Sequence, residues 1–336
     1  MTIESNKPAR CIRTLVLTVI VCLVVTACSA DLAPTDDTII LRAAHSTNVD
    51  EPYHQGLLEM ARIVSEKSGG KVQIAIYPSM QLGGEKAMLE GLLLGAIDIV
   101  VTANGSVTNF VPGMGVLDLP FLFRSREHMY GVLDGDVGDE LAKRLEARGF
   151  HLLAFYEAGV RHIMTSDRPV HSIDDLRGLK MRTMPVPAHI ASFNAYGANA
   201  VAVDYSELYG GLQTGLVDGA EAANTNYSNK KFYEVAPYWA QLGWVMLTAD
   251  LLMSDQRFQS LPTDVQEILR EAAIESAHHE RRLYAESDNS LLESLEQQGV
   301  SVTYPDPAPF RAASAAVYEE FITDDEDRAL LEAILQ

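Results

Sequence analysis

Residues 71–101 read KVQIAIYPSMQLGGEKAMLEGLLLGAIDIVV, and three patterns inside this stretch decide the fold class. Lys71 to Tyr77 alternates Val72, Ile74 and Ile76, the period of a strand, and Pro78 stops it. Glu85 to Leu94 has the composition of a short helix. Ile97 to Val101 is an apolar run of the kind that is buried on both faces of a sheet. Working back, Thr38 to Ala44 predicts a first strand. Glu51-Pro52 opens a helix with Leu57, Leu58, Ala61 and Val64 on one face, closed by Gly69-Gly70. Strand, helix, strand, helix, strand implies parallel pairing and an α/β sheet.

Working forward, a helix over 136–148 and a strand at Leu152–Tyr156 precede a second set of elements. These are strands at Val160–Thr165 and Leu179–Thr183, a helix from Pro187 to Tyr196, a strand at Ala200–Val203, a helix around Glu207–Thr214 and a strand near Val217–Ala220. No internal sequence repeat is evident. From Thr263 to Gln298 the chain has neither Gly nor Pro, and apolar or small residues recur at three- and four-residue steps. One helix of that length would reach about 54 Å, more than the width of one small domain. Gly299 ends it, and Val300 to Tyr304 predicts a returning strand. Asp324-Asp325-Glu326-Asp327 reads as a solvated helix start.

The chain has 336 residues, enough for two domains, and 47% hydrophobic residues, enough for a core. Acidic residues outnumber basic ones 46 to 26, for a net charge of -20. Such a surface repels phosphate backbones and anionic lipid, which argues against nucleic-acid partners and electrostatic membrane attachment. The cysteines are Cys11, Cys22 and Cys28, so nothing beyond them supports a disulfide or a cysteine metal site. Lys7, Arg10 and Arg13 precede an uncharged run from Leu15 to Ala27, the layout of a secretory signal over residues 1–27. Val25-Thr26-Ala27-Cys28 resembles the lipobox of bacterial lipoproteins, which predicts lipidation at Cys28. The polar stretch Ser29–Asp37 then reads as a tether.

Catalytic signatures are missing. There is no GxSxG, HExxH or Walker A pattern, and Gly113-Met114-Gly115 lacks the third glycine of a dinucleotide loop. Asp134 to Asp139 only faintly resembles a calcium loop, because the twelfth position is Leu145. His278 and His279 are adjacent on a helix and point in different directions. The reading is therefore of a protein that is not an enzyme, with no cofactor and no metal.

Three stretches resemble the solute-binding proteins of TRAP transporters. The first is Tyr77-Pro78-Ser79-Met80-Gln81-Leu82-Gly83-Gly84-Glu85, followed by Leu117-Asp118-Leu119-Pro120-Phe121-Leu122-Phe123. The second is Glu157-Ala158-Gly159-Val160-Arg161, then Asp174-Asp175-Leu176-Arg177-Gly178-Leu179-Lys180-Met181-Arg182. The third runs from Glu207-Leu208-Tyr209 through Leu212-Gln213-Thr214-Gly215-Leu216-Val217-Asp218-Gly219-Ala220-Glu221. The likeness extends from about residue 38 to about 320. It implies a two-domain periplasmic-binding-protein-like α/β fold, with hinge-crossing strands and one long helix spanning both domains. The implied domains are 38–158 plus about 249–289, and 159–248 plus about 290–336.

The resemblance also implies a site. Arg182 matches the arginine that grips the ligand carboxylate in this family. The guanidinium fork suits two carboxylate oxygens, and a lysine offers only a point charge. Arg161 would support it. An internal carboxylate could instead hold Arg182, and Glu157 or Asp167 could hold Arg161. His45, Glu85, the turn Thr102-Ala103-Asn104 and Tyr205 fall around the ligand by the same likeness, with Trp244 a weaker candidate wall. Glu85 would accept hydroxyl donors and reject a second carboxylate. Where sialic-acid receptors of the family carry Glu, Arg and Asn, this chain has Ala103, Ser106 and Ala222. Tyr53-His54-Gln55-Gly56 and Phe121-Leu122-Phe123-Arg124 look more like receptors for uronates and related sugar acids. The function implied is an extracytoplasmic, periplasmic receptor that delivers a small organic acid to integral-membrane TRAP permease subunits. An extracytoplasmic ligand sensor, or a receptor for C4-dicarboxylates or keto acids, stays open beside it.

Overall fold

The computed structural model describes residues 38–336; the signal, Cys28 and the tether lie outside them. A first unit comprises β1 (Ile39–His45), α1 (Pro52–Lys67), β2 (Val72–Tyr77), α2 (Glu85–Leu93), β3 (Ile99–Ala103) and α3 (Asn104–Thr108). After α4 (Arg126–Leu133) and α5 (Asp136–Glu146) comes the long strand β4 (Phe150–Thr165). A second unit follows: β5 (Lys180–Thr183), α6 (Pro187–Ala195), β6 (Asn199–Ala202), α7 (Leu208–Gln213), β7 (Gly219–Ala222) and α8 (Asn224–Asn229). The chain ends with β8 (Tyr238–Ser254), α9 (Asp255–Gln259), α10 (Thr263–Gln297), β9 (Ser301–Thr303), α11 (Pro307–Phe321) and α12 (Asp325–Leu335).

Among the described residues nine strands make one sheet in the order β2-β1-β3-β8-β4-β7-β5-β6, with β9 also on β8. β1 runs parallel to β2 and β3, and β5 runs parallel to β6 and β7. Between these parallel units stand β4 and β8, antiparallel to each other and to the flanking strands β7 and β3. The fold is therefore mixed α/β, with the expected crossing strands and long helix.

Two details differ from the sequence reading. Leu152–Tyr156 and Val160–Thr165 are not separate strands; they are continuous in β4, which passes Gly159 at a φ of +84°. Its pairing with β8 shifts between Glu157 and Val160 and again between Arg161 and Ile163. The 17-residue β8 has no counterpart in that reading. Its apolar run does not alternate, because the middle strand of a covered sheet is buried on both faces.

The 35-residue α10 lies against β4 and fastens to its backbone and side chains. Tyr156 Oη donates to Ser276 Oγ at 2.7 Å, Glu157 N donates to Glu280 Oε2 at 3.0 Å, and Arg281 Nη2 donates to the Phe155 carbonyl at 2.7 Å. No helix among the described residues is long and apolar enough to cross a membrane.

Candidate functional site

Three strands converge on a buried ion cluster. β4 delivers Arg161 just past its irregularity between Glu157 and Val160, β5 delivers Arg182, and β7, hydrogen-bonded between those strands, delivers Glu221. None of the three is more than 5% exposed. Glu221 Oε1 accepts from Arg182 Nη1 at 3.0 Å, and Glu221 Oε2 accepts from Arg161 Nε at 2.7 Å. Arg182 Nε donates to the Val203 carbonyl at 2.8 Å, and no described residue accepts a hydrogen bond from Arg182 Nη2. Arg161 Nη1 donates to Asn226 Oδ1 at 3.0 Å. Burial pulls the Arg182 guanidinium below its ordinary pKa, and the neighbouring Arg161 adds to the pull against Glu221. Burial works on Arg161 in the same direction, but Glu221 outweighs it and the net shift is upward. One carboxylate thus serves two guanidiniums, and these three groups carry one surplus positive charge with little exposure to solvent.

Both arginines line a cavity of about 450 Å3. Glu85 lines the same cavity from the first turn of α2, placed by the β2–α2 loop. Its Oε1 accepts from Ser46 Oγ at 2.9 Å and its Oε2 accepts from Ser106 Oγ. Tyr205 lines it from the turn before α7, and its hydroxyl is sealed from solvent without a hydrogen bond. Burial pushes that phenol well above its ordinary pKa, so it stays a neutral donor. Tyr53 of α1, Phe110 after α3 and Tyr284 of α10 complete an aromatic wall. The lining combines two guanidiniums, a carboxylate and several aromatic rings, a set of groups that suits a polar anion.

A family model, "Bacterial extracellular solute-binding protein, family 7", matches residues 43–325. The chain belongs to that family. The 2,3-diketo-L-gulonate-binding periplasmic protein YiaO of Escherichia coli is 31% identical over 262 residues, which is 78% of this chain and 80% of the relative. The C4-dicarboxylate-binding periplasmic protein DctP of Rhodobacter capsulatus is 30% identical over 295 residues, 87% of this chain and 86% of the relative. A TRAP periplasmic solute binding protein of Xanthobacter autotrophicus, solved with bound β-D-galacturonate, superposes with a TM-score of 0.85 at 34% identity, over 88% of this chain and 99% of that one. Members of the family bind small acids and work with TRAP membrane permeases, and relatives of this chain are periplasmic.

Of the residues the sequence singled out, this family-7 protein brings Arg161, Arg182, Glu85 and Tyr205 into the one cavity. His45, Asn104 and Trp244 are not among its lining residues. His45 ends β1, and Ser46 and Thr47, in the turn beyond the strand, line the cavity instead. The His45 ring lies between Thr47 Oγ1 at 3.1 Å and His54 Nδ1 at 3.0 Å, and burial lowers its pKa to about 3, so it stays neutral. Asn104 turns inward as well: its Nδ2 donates to Asp118 Oδ1 at 2.9 Å and to the Met114 carbonyl at 3.1 Å. Ala103 and Ser106 line the cavity in its place. Trp244 is fully buried, edge-on to His189 and Phe193. Neither Glu157 nor Asp167 holds Arg161. Glu157 accepts instead from Arg126 Nε at 2.9 Å.

Sequence reasoning missed Glu221 as the shared partner, Asn226, Tyr284 and Lys86. Asn226 had a signal, since Asn224-Thr225-Asn226 follows an apolar parallel strand, where such sheets collect ligands. Lys86, next to Glu85, adds a mostly exposed cation to the cavity rim, 3.9 Å from Glu90. Among the described residues no group of three or more His, Cys, Asp or Glu is placed to hold a metal ion.

Proposed function

We propose that this chain captures a monocarboxylate sugar acid, a uronate first, between two closing lobes and hands it to a TRAP permease. The observation that carries this reading is the pair of buried arginines sharing one carboxylate on the wall of the cavity. A ligand carboxylate neutralises the surplus charge, and the spare donors of Arg182 suit its oxygens. At the other side, Glu85 accepts from hydroxyl groups, and the unpaired Tyr205 hydroxyl gains a partner. The galacturonate bound in the Xanthobacter structure and the sugar acid in the name of the Escherichia coli relative support the same class. The lobes are residues 38–158 plus about 249–289, and 159–248 plus about 290–336. The protein is a receptor and not an enzyme. It works in the periplasm, held to a membrane by lipid on Cys28, and mass spectrometry of a mature N-terminus other than acylated Cys28 would refute the anchor.

A C4-dicarboxylate is the second reading. It is favoured by Lys86 at the rim and by the name of the Rhodobacter relative. Calorimetry with galacturonate, glucuronate, succinate and malate separates the two. The uronates should bind tighter, and Arg182→Lys, which keeps the charge and loses the fork, should weaken them at least about tenfold, or 1.4 kcal/mol. Succinate binding tighter than every uronate, or an unchanged affinity in the lysine variant, would overturn the assignment.

A further inference from the structure

Glu51 is fully buried in the turn ahead of α1, and its carboxylate reaches the second unit of the sheet. Its Oε1 accepts from Asn48 N at 3.1 Å, and its Oε2 accepts from Asn226 Nδ2. Asn226, at the start of α8, lines the cavity and accepts from Arg161 Nη1 at 3.0 Å through its Oδ1. The chemistry allows only one orientation of that amide. A carboxylate can only accept and a guanidinium can only donate, so the NH2 must face Glu51 and the oxygen must face Arg161. A second bridge runs beside the first. Lys230 Nζ donates to Asn48 Oδ1 at 2.8 Å, and Asn48 Nδ2 donates to the Asn229 carbonyl at 3.3 Å. Three of these contacts, Glu51 to Asn226, Asn48 to Lys230 and Asn48 to the Asn229 carbonyl, join the β1–α1 turn to α8 and the residue after it. Those same two segments carry the cavity-lining residues Ser46, Thr47 and Asn226.

We propose that Glu51 is a positioning residue for ligand capture: through Asn226 it sets the arginine that meets the ligand, and it fastens the two sides of the cleft around it. This rests on the reading that the ligand carboxylate meets the arginines. When the β1–α1 turn and α8 separate, the buried carboxylate loses its donor from Asn226, and Asn226 keeps its bond to Arg161 but loses the partner that fixes its amide. Ligand and bridge therefore favour the same closed arrangement. Each raises the population that the other needs, and the bridge acts chiefly by slowing release.

The test is a double-mutant cycle on the full chain, with galacturonate as probe. Glu51→Ala and Asn226→Ala should each weaken binding about tenfold, mostly as faster dissociation, and the double variant should be little worse than either, because they break one relay. Glu51→Gln, which keeps one oxygen for Asn226 Nδ2 but turns its NH2 toward Asn48 N, should lose less affinity than Glu51→Ala. Additive losses, unchanged affinity, or a glutamine variant no better than alanine would overturn the proposal. If the original protein does not bind galacturonate, the uronate reading fails, and the bridge is judged on the ligand-free chain by hydrogen exchange. Glu51→Ala must then speed exchange both in residues 45–51 and in residues 224–230, with the rest unchanged. Acceleration confined to the first segment, or spread over the whole chain, would overturn it.

Discussion

Residues 91–103 and 211–223 build the same local structure at a constant offset of 120. The Gly91 carbonyl accepts from Ala96 N at 2.8 Å and Ile97 N at 3.1 Å; the Gly211 carbonyl accepts from Leu216 N at 2.9 Å and Val217 N at 3.3 Å. Gly95 and Gly215 take positive φ of 75° and 69°. Asp98 Oδ2 accepts from Arg42 N, and Asp218 Oδ2 accepts from Lys180 N, both at 2.8 Å. Even the flanking cations match: Arg42 Nη2 donates to the Gly95 carbonyl at 3.0 Å, and Lys180 Nζ donates to the Gly215 carbonyl at 2.9 Å. In each unit the first strand lies between the other two. The cavity is built from matched positions. Glu85 and Tyr205 stand ten residues before these glycines, and Ser106 and Asn226 stand eleven after them. What differs is charge. Val101 of the first unit corresponds to Glu221 of the second, and Ala44 corresponds to Arg182. One backbone design thus supplies two unlike walls, one with Glu85 and one with Arg182, and on the proposed function that asymmetry would orient a ligand with one acidic end.

The largest effect should separate those matched residues. Glu221→Ala leaves two buried guanidiniums without their shared partner, and breaking a buried ion pair typically costs about 3–5 kcal/mol. Val101→Ala removes only two methyl groups, or roughly 1.5 kcal/mol of burial. Urea denaturation of the two variants reads the difference directly. Equal losses would mean that Glu221 contributes no more than packing, and the contrast between the walls would collapse.

Much of the first unit is legible in sequence. Lys71–Tyr77 and the run from Ile97 to Val101 come within two residues of β2 and β3 at every end, and the stretch without Gly or Pro marks α10 to within one residue. Alternation and unbroken helical spacing are local signals, so they survive without an alignment. Other features depend on partners far along the chain. β8 is hidden because a strand covered on both faces loses its alternation, and Gly243 inside it reads as a break. The duplication is hidden because the two segments share only a Gly-Leu pair, a second glycine, an aspartate and an alanine at fixed spacing. His45 illustrates the finest limit: one position along β1 decides between core and cavity, and the residue's chemistry does not say which. The arginine pair was legible, whereas Glu221 as their common anchor requires knowing that β7 lies between β4 and β5.

A smaller effect sharpens the comparison across the cleft. Glu85 and Tyr205 occupy matched positions but differ in charge, so their removal should cost different amounts. Hydrogen bonds to a charged group contribute about 1.5–3 kcal/mol and neutral ones about 0.5–1.5. Glu85→Gln should therefore weaken galacturonate more than Tyr205→Phe does, and it alone should improve succinate binding, because the repelling carboxylate is gone. Tyr205→Phe should leave the ligand-free protein at least as stable as before, since the hydroxyl it removes has no partner there. Calorimetry with both ligands checks the order, and a phenylalanine variant that loses more affinity than the glutamine variant would reverse the assignment of the two walls.

The smallest effect bears on whether the two units are equivalent at all. An alanine at Gly95 or at Gly215 would place its Cβ in open space, with nothing within 4 Å at either position. Packing therefore drops out of the comparison and only the backbone remains. Both glycines hold a left-handed conformation that costs an ordinary residue about 1–2 kcal/mol. Each closes the turn between a helix and a strand that a matched aspartate immediately precedes. Gly95→Ala and Gly215→Ala should thus destabilise the chain by about 1 kcal/mol each, equal within about 0.5 kcal/mol. The double variant should show the sum, because the two turns share no partner. Gly159 is the contrast, for there a Cβ would come within 2.5 Å of the Ala223 Cβ in addition to the strain of its φ. Its replacement should cost clearly more than either. Thermal and urea unfolding of the three single variants and the double would decide the matter. Unequal costs at Gly95 and Gly215 would show that one turn relaxes where the other cannot, and the two units would then be alike in hydrogen bonding but not in energy.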